Sequence, residues 1–581
     1  MFGHGWNNYI QHAYPEDELN PFECNGRGSD KADPDNIHVN DVLGDYSLTL
    51  VDTLDTLAIM GTQEQFEEAV QRVIQTVSFS QDNKVQVFEL NIRALGGLLS
   101  AHLLATDPTF HHTIPGYQNE LLDMAKDLAD RLMPAFQSTK TGIPYPRVHL
   151  LHGVSPTETT ETCTAGAGSL LLEFGVLSRL TGDPSYEAAA KRALQSVWDR
   201  RSDINLMGNV IDIQTGTWIH TASSTGAGID SVFEYMLKSY ILFGDQEYKD
   251  MFDQAYRALM LFVRDPSGYL YRNVHMSTGS LMSSWVDSLS AFFPGLQVLY
   301  GDIDAAIKSH LVYFNIWRRY HALPERFDFF QKTVDLPYYP LRPEFVESTY
   351  HLYRATKDPF YLEVGEMVLQ DLNNRTRVHC GFASLGDVRS GRLEDRMESF
   401  MLSETLKYLY LLFDTDHSIN TMDGNYVFTT EGHILPAPAL YRSSPPHTPT
   451  VSLQTSPAGT CARYNPRQLH YMSIPGDLDM TSMLYQPSSD YAAEIVGGVR
   501  STPPPLTTHG YCQVPLLNRY SLSFGYTHRR PPTQFNLMEL LGGYLVKSLS
   551  GFKMDIVGRH SDGYFVKGGR YIYIYIYRLS E

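Results

Sequence analysis

Between about residues 45 and 415, apolar residues recur at helical spacing and are interrupted by short turns rich in Gly, Asp and Pro. The turns Thr181-Gly182-Asp183-Pro184, Phe243-Gly244-Asp245, Tyr300-Gly301-Asp302 and Thr356-Lys357-Asp358-Pro359 each separate two amphipathic stretches, and their aspartates lie roughly 56–62 residues apart. Earlier versions stand at Met60-Gly61-Thr62 and Ala105-Thr106-Asp107-Pro108, and a later one at Phe413-Asp414-Thr415. The pattern predicts an all-α domain of about seven helical hairpins. Such pairs cannot each bury an apolar face alone, so they stack into an open solenoid or close into an α/α toroid.

What opens the first helix of each pair favours closure. Upstream of successive turns stand Glu89, Ser169, Asp230, Asp287, Glu344 and Glu398, a carboxylate in every case but Ser169. Helix starts at equivalent positions share one end of the structure, so a toroid aims these acids into a common mouth. In Leu341-Arg342-Pro343-Glu344-Phe345-Val346-Glu347, Pro343 suits a first helical turn and Glu344 and Glu347 project from one face. Glu89 and Arg93 are i,i+4, with Gly96, Gly97 and Ser100 continuing that side, and Asp230 and Glu234 repeat the arrangement. A single acid here is an ordinary partner of the helix dipole; a series in register points to chemistry.

After Leu412 the pattern changes. Tyr426-Val427-Phe428 reads as a strand or plug, followed by Thr429-Thr430-Glu431-Gly432-His433. That run is either a plain strand end or a set of oxygens able to hold a hard cation through waters. Beyond residue 436 the chain turns Pro/Ser/Thr-rich, and we expect residues 437–581 to be a mostly disordered tail. The alternation Tyr571 to Tyr577 is what an in-frame TATATA repeat would encode, and is read as a gene-model artefact.

Composition narrows the function. A formal charge of −19 and a pI near 5.5 argue against nucleic acid as a partner. No uninterrupted run of about 18 apolar residues predicts a membrane span. Five cysteines show no metal-ligand spacing, and an odd number leaves at least one unpaired in any oxidising compartment. Asn374-Arg375-Thr376 is a glycosylation sequon, and the start at Met1 carries no signal-peptide pattern.

Leu50-Val51-Asp52-Thr53-Leu54-Asp55-Thr56-Leu57, Val87-Phe88-Glu89 with Ile92-Arg93, Gly228-Ile229-Asp230, Leu341-Arg342-Pro343-Glu344, Arg396-Met397-Glu398-Ser399-Phe400 and Thr430-Glu431-Gly432-His433 together resemble the class I α-mannosidases, glycoside hydrolase family 47. The likeness runs in order over residues 1–436. Within that family, the opening Met1 to Pro21, the insertion around Asn25 to Asn40 and Cys163 look most like the ER degradation-enhancing α-mannosidase-like subgroup.

The resemblance implies an (α/α)7 barrel with a short β plug, and calcium-dependent inverting hydrolysis of α-1,2-linked mannose on the high-mannose N-glycans of misfolded glycoproteins. It places Glu89, Asp230 and Glu344 on the catalytic acids and Thr430 on the Ca2+ ligand. Glu347, Glu398 and Glu431 fall around the sugar and the calcium's waters, with Arg93 and Arg342 as supporting cations. We assign Glu344 as base and leave Glu89 or Asp230 as acid. The resemblance further implies residence in the endoplasmic reticulum lumen, with the signal segment expected upstream of Met1, partners among ER redox or degradation machinery, and a Cys24–Cys380 disulfide. Gly228, where processing mannosidases carry a larger side chain, implies a different branch preference. The alternative is a glycan- or client-binding protein with little turnover on the same fold; a solenoid scaffold stands third.

Overall fold

The computed structural model describes residues 1–33, 36–422, 426–436 and 487–498, together with the backbone of six strands between residues 519 and 577. Two units are distinguished: Met1–Ser456 with Leu478–Val499, and Pro457–Asp477 with Arg500–Glu581.

The Gly-Asp turns do what the sequence asks of them. Gly244 and Gly301 close their helices at φ +76° and +99°, a left-handed conformation that costs glycine no Cβ clash. The following Asp245 and Asp302 cap the next helix by accepting the N–H groups of Glu247 and Ala305. Helix pairs result: α1 (Phe2–Asn8), α2 (Leu48–Asp52) with α3 (Leu54–Met60), α4 (Gln63–Thr76), α5 (Val87–Thr106), α6 (Glu120–Leu132), α7 (Leu171–Thr181), α8 (Ser185–Trp198), α9 (Asp230–Phe243), α10 (Gln246–Ala258), α11 (Phe293–Tyr300), α12 (Ile303–Tyr320), α13 (Glu344–Thr356), α14 (Phe360–Arg375) and α15 (Leu406–Phe413).

Helices α3, α5, α7, α9, α11, α13 and α15 form an inner ring in which each touches the next and α15 returns to α3. Polar bonds seal that closure: Lys407 Nζ donates to Asp55 Oδ1 at 2.9 Å, Ser403 Oγ to Asp52 Oδ2 at 2.9 Å, and Thr56 Oγ1 to the Ser403 carbonyl at 3.1 Å. The solenoid is thereby excluded. Outer helices α4, α6, α8, α10, α12 and α14 each follow their inner partner. The seventh inner helix is covered by the chain's start, where Gly5 leaves room for Leu402. Helix α5 is long and apolar enough to cross a membrane by length and composition, yet 89% of its apolar window is buried inside the barrel.

Short antiparallel strands form a collar at the N-terminal ends of the inner helices. They include β1 (Glu18–Asn20), β2 (Asn25–Arg27), β3 (Ala222–Ser223), β4 (Asn273–His275), β5 (Leu281–Ser283), β6 (Trp285–Asp287), β7 (Arg326–Asp328) and β8 (Thr333–Leu336), with sheet orders β5-β4-β3 and β6-β7-β8. The expected plug is a hairpin of β9 (Tyr426–Phe428) and β10 (Ile434–Pro436), with Phe428 opposite Ile434.

The β1–β2 hairpin is bound to the chain entering the last inner helix. Glu18, fully buried, receives Arg396 in a two-pronged ion pair at 2.8 and 3.3 Å, and the Met397 N–H donates to the Leu19 carbonyl at 3.1 Å. A disulfide joins Cys24 to Cys380 across 356 residues of sequence. A Cys24→Ser change should lower unfolding stability by about 2–5 kcal/mol, because a long loop is released in the unfolded chain. Denaturant titration of the variant checks the loss; the pairing itself fails if mass analysis after alkylation finds both thiols free.

Most of the segment expected to be a disordered tail, residues 437–581, lies outside the described residues; a helix and six strands within it are described. Helix α16 (Ser489–Ile495) packs on α12 with Ala492 and Val496 buried, and the Tyr491 ring meets Tyr269 edge-on at 5.0 Å. In the second unit, strands Arg519–Ser523, Lys553–Arg559, Gly563–Gly568 and Ile572–Tyr577 make an antiparallel sheet in that order. The Tyr/Ile alternation is thus its edge strand, paired with Gly563–Gly568. An alternating pattern of β-branched and aromatic residues is strand-forming whatever its origin.

Candidate active site

Carboxylates gather where the inner helices begin. Asp230 and Glu344 are the first residues of α9 and α13, Glu89 lies in the first turn of α5, and Glu398 just precedes the last inner helix. Asp287 ends β6, immediately before the turn leading into α11. Burial pushes Asp230 up to about 8, with the charges of Asp287, Glu344 and Glu234 adding to it. It pushes Glu344 to about 7, where Glu325 and Asp287 raise it and Arg342 opposes them. Glu347 is held well above the ordinary carboxylate range by burial and by the Glu234 and Glu344 charges. Asp230 and Glu347 both feel the charges of Glu344 and Glu234, which draws these four acids into one cluster.

Two arginines brace it. Arg93 Nε donates to Glu89 Oε2 at 2.8 Å and Nη1 to Ser399 Oγ at 3.1 Å, while Nη1 stands 3.4 Å from Glu431 Oε1. Arg342 pairs chiefly with Glu325, Nε to Oε1 at 2.5 Å and Nη2 to Oε2 at 3.2 Å, and its Nη1 is 4.0 Å from Glu344. Both guanidiniums lie over the Phe400 ring, at 5.3 and 5.9 Å. Leu341 reaches Arg342 at φ +70°, a conformation costly for leucine, and Thr405 Oγ1 fastens its carbonyl at 2.7 Å.

The β9–β10 turn carries Thr430 and Glu431 into this region, anchored from below by buried charge. Lys407 Nζ donates to the Gly432 carbonyl at 2.7 Å as well as to Asp55. His433 Nε2 lies 3.1 Å from Asp52 and Nδ1 3.3 Å from Asp55, and these carboxylates hold the imidazole up at about 9, against burial. Gly432 turns at φ +67°, and a Cβ there would stand 3.0 Å from Glu404 Cγ. Glu431 is pushed up to about 8 by burial, with Asp52 and Glu89 adding to it and Arg93 opposing. Among the described residues, Glu344 Oε2 and Glu431 Oε1 are buried oxygens without a hydrogen-bond partner; the 3.4 Å approach of Arg93 to Glu431 is a charge contact only. Glu431 Oε1, on the residue next to Thr430, is an unpartnered carboxylate oxygen, the donor chemistry of a hard cation such as Ca2+, which takes about 6–8 oxygens. The residues fit such an ion.

A profile of Glycosyl hydrolase family 47 matches residues 1–437. The chain belongs to this family. It is 52% identical over 436 residues to ER degradation-enhancing alpha-mannosidase-like protein 1 of Schizosaccharomyces pombe, covering 75% of this chain and 55% of that protein. To Alpha-mannosidase I MNS5 of Arabidopsis thaliana it is 46% identical over 453 residues, covering 77% and 78%. The solved alpha-1,2-mannosidase from Trichoderma reesei superposes with a TM-score of 0.67 at 28% identity, over 75% of this chain and 97% of that one, which shows the α/α barrel.

Within the family 47 barrel, four groups lie beside the site to which the motifs give no role. Glu404, held well above the ordinary range by burial and by Glu431, Glu344 and Glu347, lies amid the acids. Its signal was an acid and a lysine inside the otherwise apolar run Phe400 to Phe413, where buried charges are rare unless paired. Glu325 takes Arg342, and the Glu234–Lys238 ion pair flanks Glu347. Asp287, seen in register but given no role, accepts the Ala227 N–H. Gly228 sits at φ +84° with Asn209 Oδ1 2.6 Å from where a Cβ would be, so the backbone itself requires glycine.

Proposed function

We propose that this chain is a calcium-dependent, inverting α-1,2-mannosidase that trims high-mannose N-glycans of misfolded glycoproteins in the endoplasmic reticulum lumen and so promotes their degradation. The observation that supports the reading is a set of acids at the starts of the inner helices, in which burial pushes Asp230 up to about 8 and Glu344 only to about 7, and Glu344 Oε2 is buried without a hydrogen-bond partner. Inversion needs an acid that keeps its proton and a base that gives it up more readily, on carboxyls roughly 6.5–9.5 Å apart.

In this mechanism Asp230 gives its proton to the glycosidic oxygen as the C1–O bond breaks. Glu344 Oε2 takes a proton from the water whose oxygen bonds to C1 from the opposite face, and mannose leaves with inverted configuration. Glu89 is occupied by Arg93 and holds that guanidinium against the site, while Arg342, steadied by Glu325, offsets negative charge beside Glu344. Thr430 would hold Ca2+ by its hydroxyl and carbonyl, with Glu347, Glu398 and Glu431 around the sugar and the ion's waters; the ion supplies a centre that gathers hydroxyl and water oxygens. Incubated with an oligosaccharide ending in α-1,2-mannose, the full chain should release β-mannose as the first anomer seen by proton NMR. Initial α-mannose would rule out inversion, and no release would favour the binding protein.

A further inference from the structure

In the series Glu89, Ser169, Asp230, Asp287, Glu344 and Glu398, Ser169 breaks the run of acids, and it leads into α7. One turn further on stands Glu173, fully buried. A carboxylate there is costly unless hydrogen bonds hold it, and both its oxygens are held. Tyr235 OH of α9 donates to Oε1 at 2.7 Å, and Asn91 Nδ2 of α5 donates to Oε2 at 2.8 Å. Tyr235 and Asn91 are themselves fully buried. Burial pushes Glu173 up to about 7, while the bonds from Tyr235 and Asn91 draw it down.

This bridge follows the register of the helix repeat. Ser169 Oγ meets Ser231 Oγ at 2.8 Å, and Glu173 meets Tyr235 one turn later; each pair is 62 residues apart, so α7 and α9 are joined by two polar rungs at equivalent positions. Ser231 adjoins Asp230, the first residue of α9. On the other flank, Asn91 opens the π turn Asn91–Leu95 of α5, with Glu89 two residues before it and Arg93 two after. A π turn inserts an extra residue into the helix and is common at functional sites; the Asn91 side chain fastens that point to α7. The chain entering α7 also stands near both acids, because burial pushes the Cys163 thiol up to about 11 with the charges of Asp230 and Glu89 adding to it. The Thr430 backbone lies against the same Tyr235 phenol oxygen.

We propose that Glu173 is a positioning residue for glycan hydrolysis: by taking Tyr235 on one oxygen and Asn91 on the other, it fixes the spacing of α9 and α5 and so sets Asp230 against Glu89 and Arg93. The inference rests on the glycan-trimming reading above. An apolar side chain at this position would fill the same space, but hydrophobic contact has no direction, whereas hydrogen bonds of 2.7 and 2.8 Å set both distance and angle. A misplacement of about 1 Å in a reacting group can cost roughly a hundredfold in rate. Glu173 therefore acts on kcat from a position closed to solvent.

Full-length variants test the role by steady-state release of mannose from an α-1,2-capped oligosaccharide, by Tm and by crystal structure. Glu173→Gln keeps an oxygen for Tyr235 and offers an N–H to Asn91, whose Oδ1 is buried without a hydrogen-bond partner and accepts it once the Asn91 amide turns over. Its kcat should stay within about threefold of wild type. Glu173→Leu/Asn91→Leu/Tyr235→Phe removes every member of the bridge together, so Tm should match or exceed wild type, while kcat falls about 10–100-fold and KM changes little. Should that triple variant not fold, Tyr235→Phe alone, which deletes one hydroxyl, should lower kcat at least about fivefold; an unchanged kcat there overturns the proposal. A stable triple variant with kcat within about threefold of wild type would leave Glu173 a purely structural group, and Glu173→Gln falling as far as the triple variant would assign the effect to the charge of the carboxylate. Either result overturns the positioning role. If the wild type itself releases no mannose, the mannosidase reading fails and the crystal structures decide the bridge alone. The separation of Asp230 and Glu89 should then be kept in Glu173→Gln and altered by more than about 0.5 Å in the triple or Tyr235→Phe variant; acids that do not move overturn the proposal.

Discussion

Glu344→Gln should lower kcat for mannose release by about 10²–10⁴-fold, the usual worth of a positioned general base, while KM changes little. The substitution keeps the shape of the side chain and removes only its ability to take a proton from water. Thermal stability should hold or rise, because Glu344 is a buried carboxyl that burial, Glu325 and Asp287 all disfavour as an anion. That combination separates chemistry from folding: a Tm at or above wild type with activity lost places the base at Glu344. Steady-state kinetics on a purified α-1,2-capped oligosaccharide is the measurement, and a variant within about threefold of wild-type kcat would move the base to another acid. Glu404→Gln is the informative comparison. Glu404 sits among the same acids but has no assigned proton transfer, so its loss should act on substrate affinity more than on kcat.

Much of this site could be read from the chain because its parts sit at repeated structural positions. The Gly-Asp turns at Gly182, Gly244 and Gly301 have a direct physical reading, and the acids at the starts of α5, α9 and α13 follow from counting back along helices of similar length. Closure is expected from those acids and is realised by Lys407 with Asp55 and Ser403 with Asp52, of which only the two aspartates stand in a motif. What stayed hidden depends on local departures from regular helix. Met401–Thr405 is a π turn, and its extra residue shifts the face on which Glu404 emerges. A count at 3.6 residues per turn cannot find such shifts. Partner choice is equally hidden: the resemblance gives Arg342 only as a supporting cation, and the structure pairs it with Glu325 from the preceding collar loop. Contacts between residues distant in sequence, such as Glu18 with Arg396 and Cys24 with Cys380, leave no periodic trace; the disulfide was reached through resemblance alone.

Removing bound cation should destabilise the protein more at pH 8 than at pH 5.5. The reason is the sign of the proton linkage. Asp230, Glu344 and Glu431 hold their protons in the folded state up to about 8, 7 and 8, whereas the unfolded chain releases them near 3.8 to 4.5. Across that window the folded state binds more protons, so unfolding free energy falls as pH rises. The stabilisation is fully present below pH about 4 and is lost as pH passes through 7 to 8. At pH 8 the cation-free cluster is therefore a set of crowded anions, and a cation that binds the ionised form restores stability by mass action, about 2.7 kcal/mol at a free concentration a hundredfold above Kd. At pH 5.5 protons already occupy the oxygens, and the same Ca2+ gains less. His433, held up at about 9, also loses its contribution as pH rises, but it does so with or without the ion and cancels when Tm is compared with and without chelator. Differential scanning calorimetry with Ca2+ and with EDTA at the two pH values measures that difference directly. Mg2+, which demands a tighter six-oxygen shell, should replace Ca2+ poorly, and Glu431→Gln should shrink the Ca2+-dependent shift. An equal Tm shift at both pH values would mean that the ion acts away from these acids.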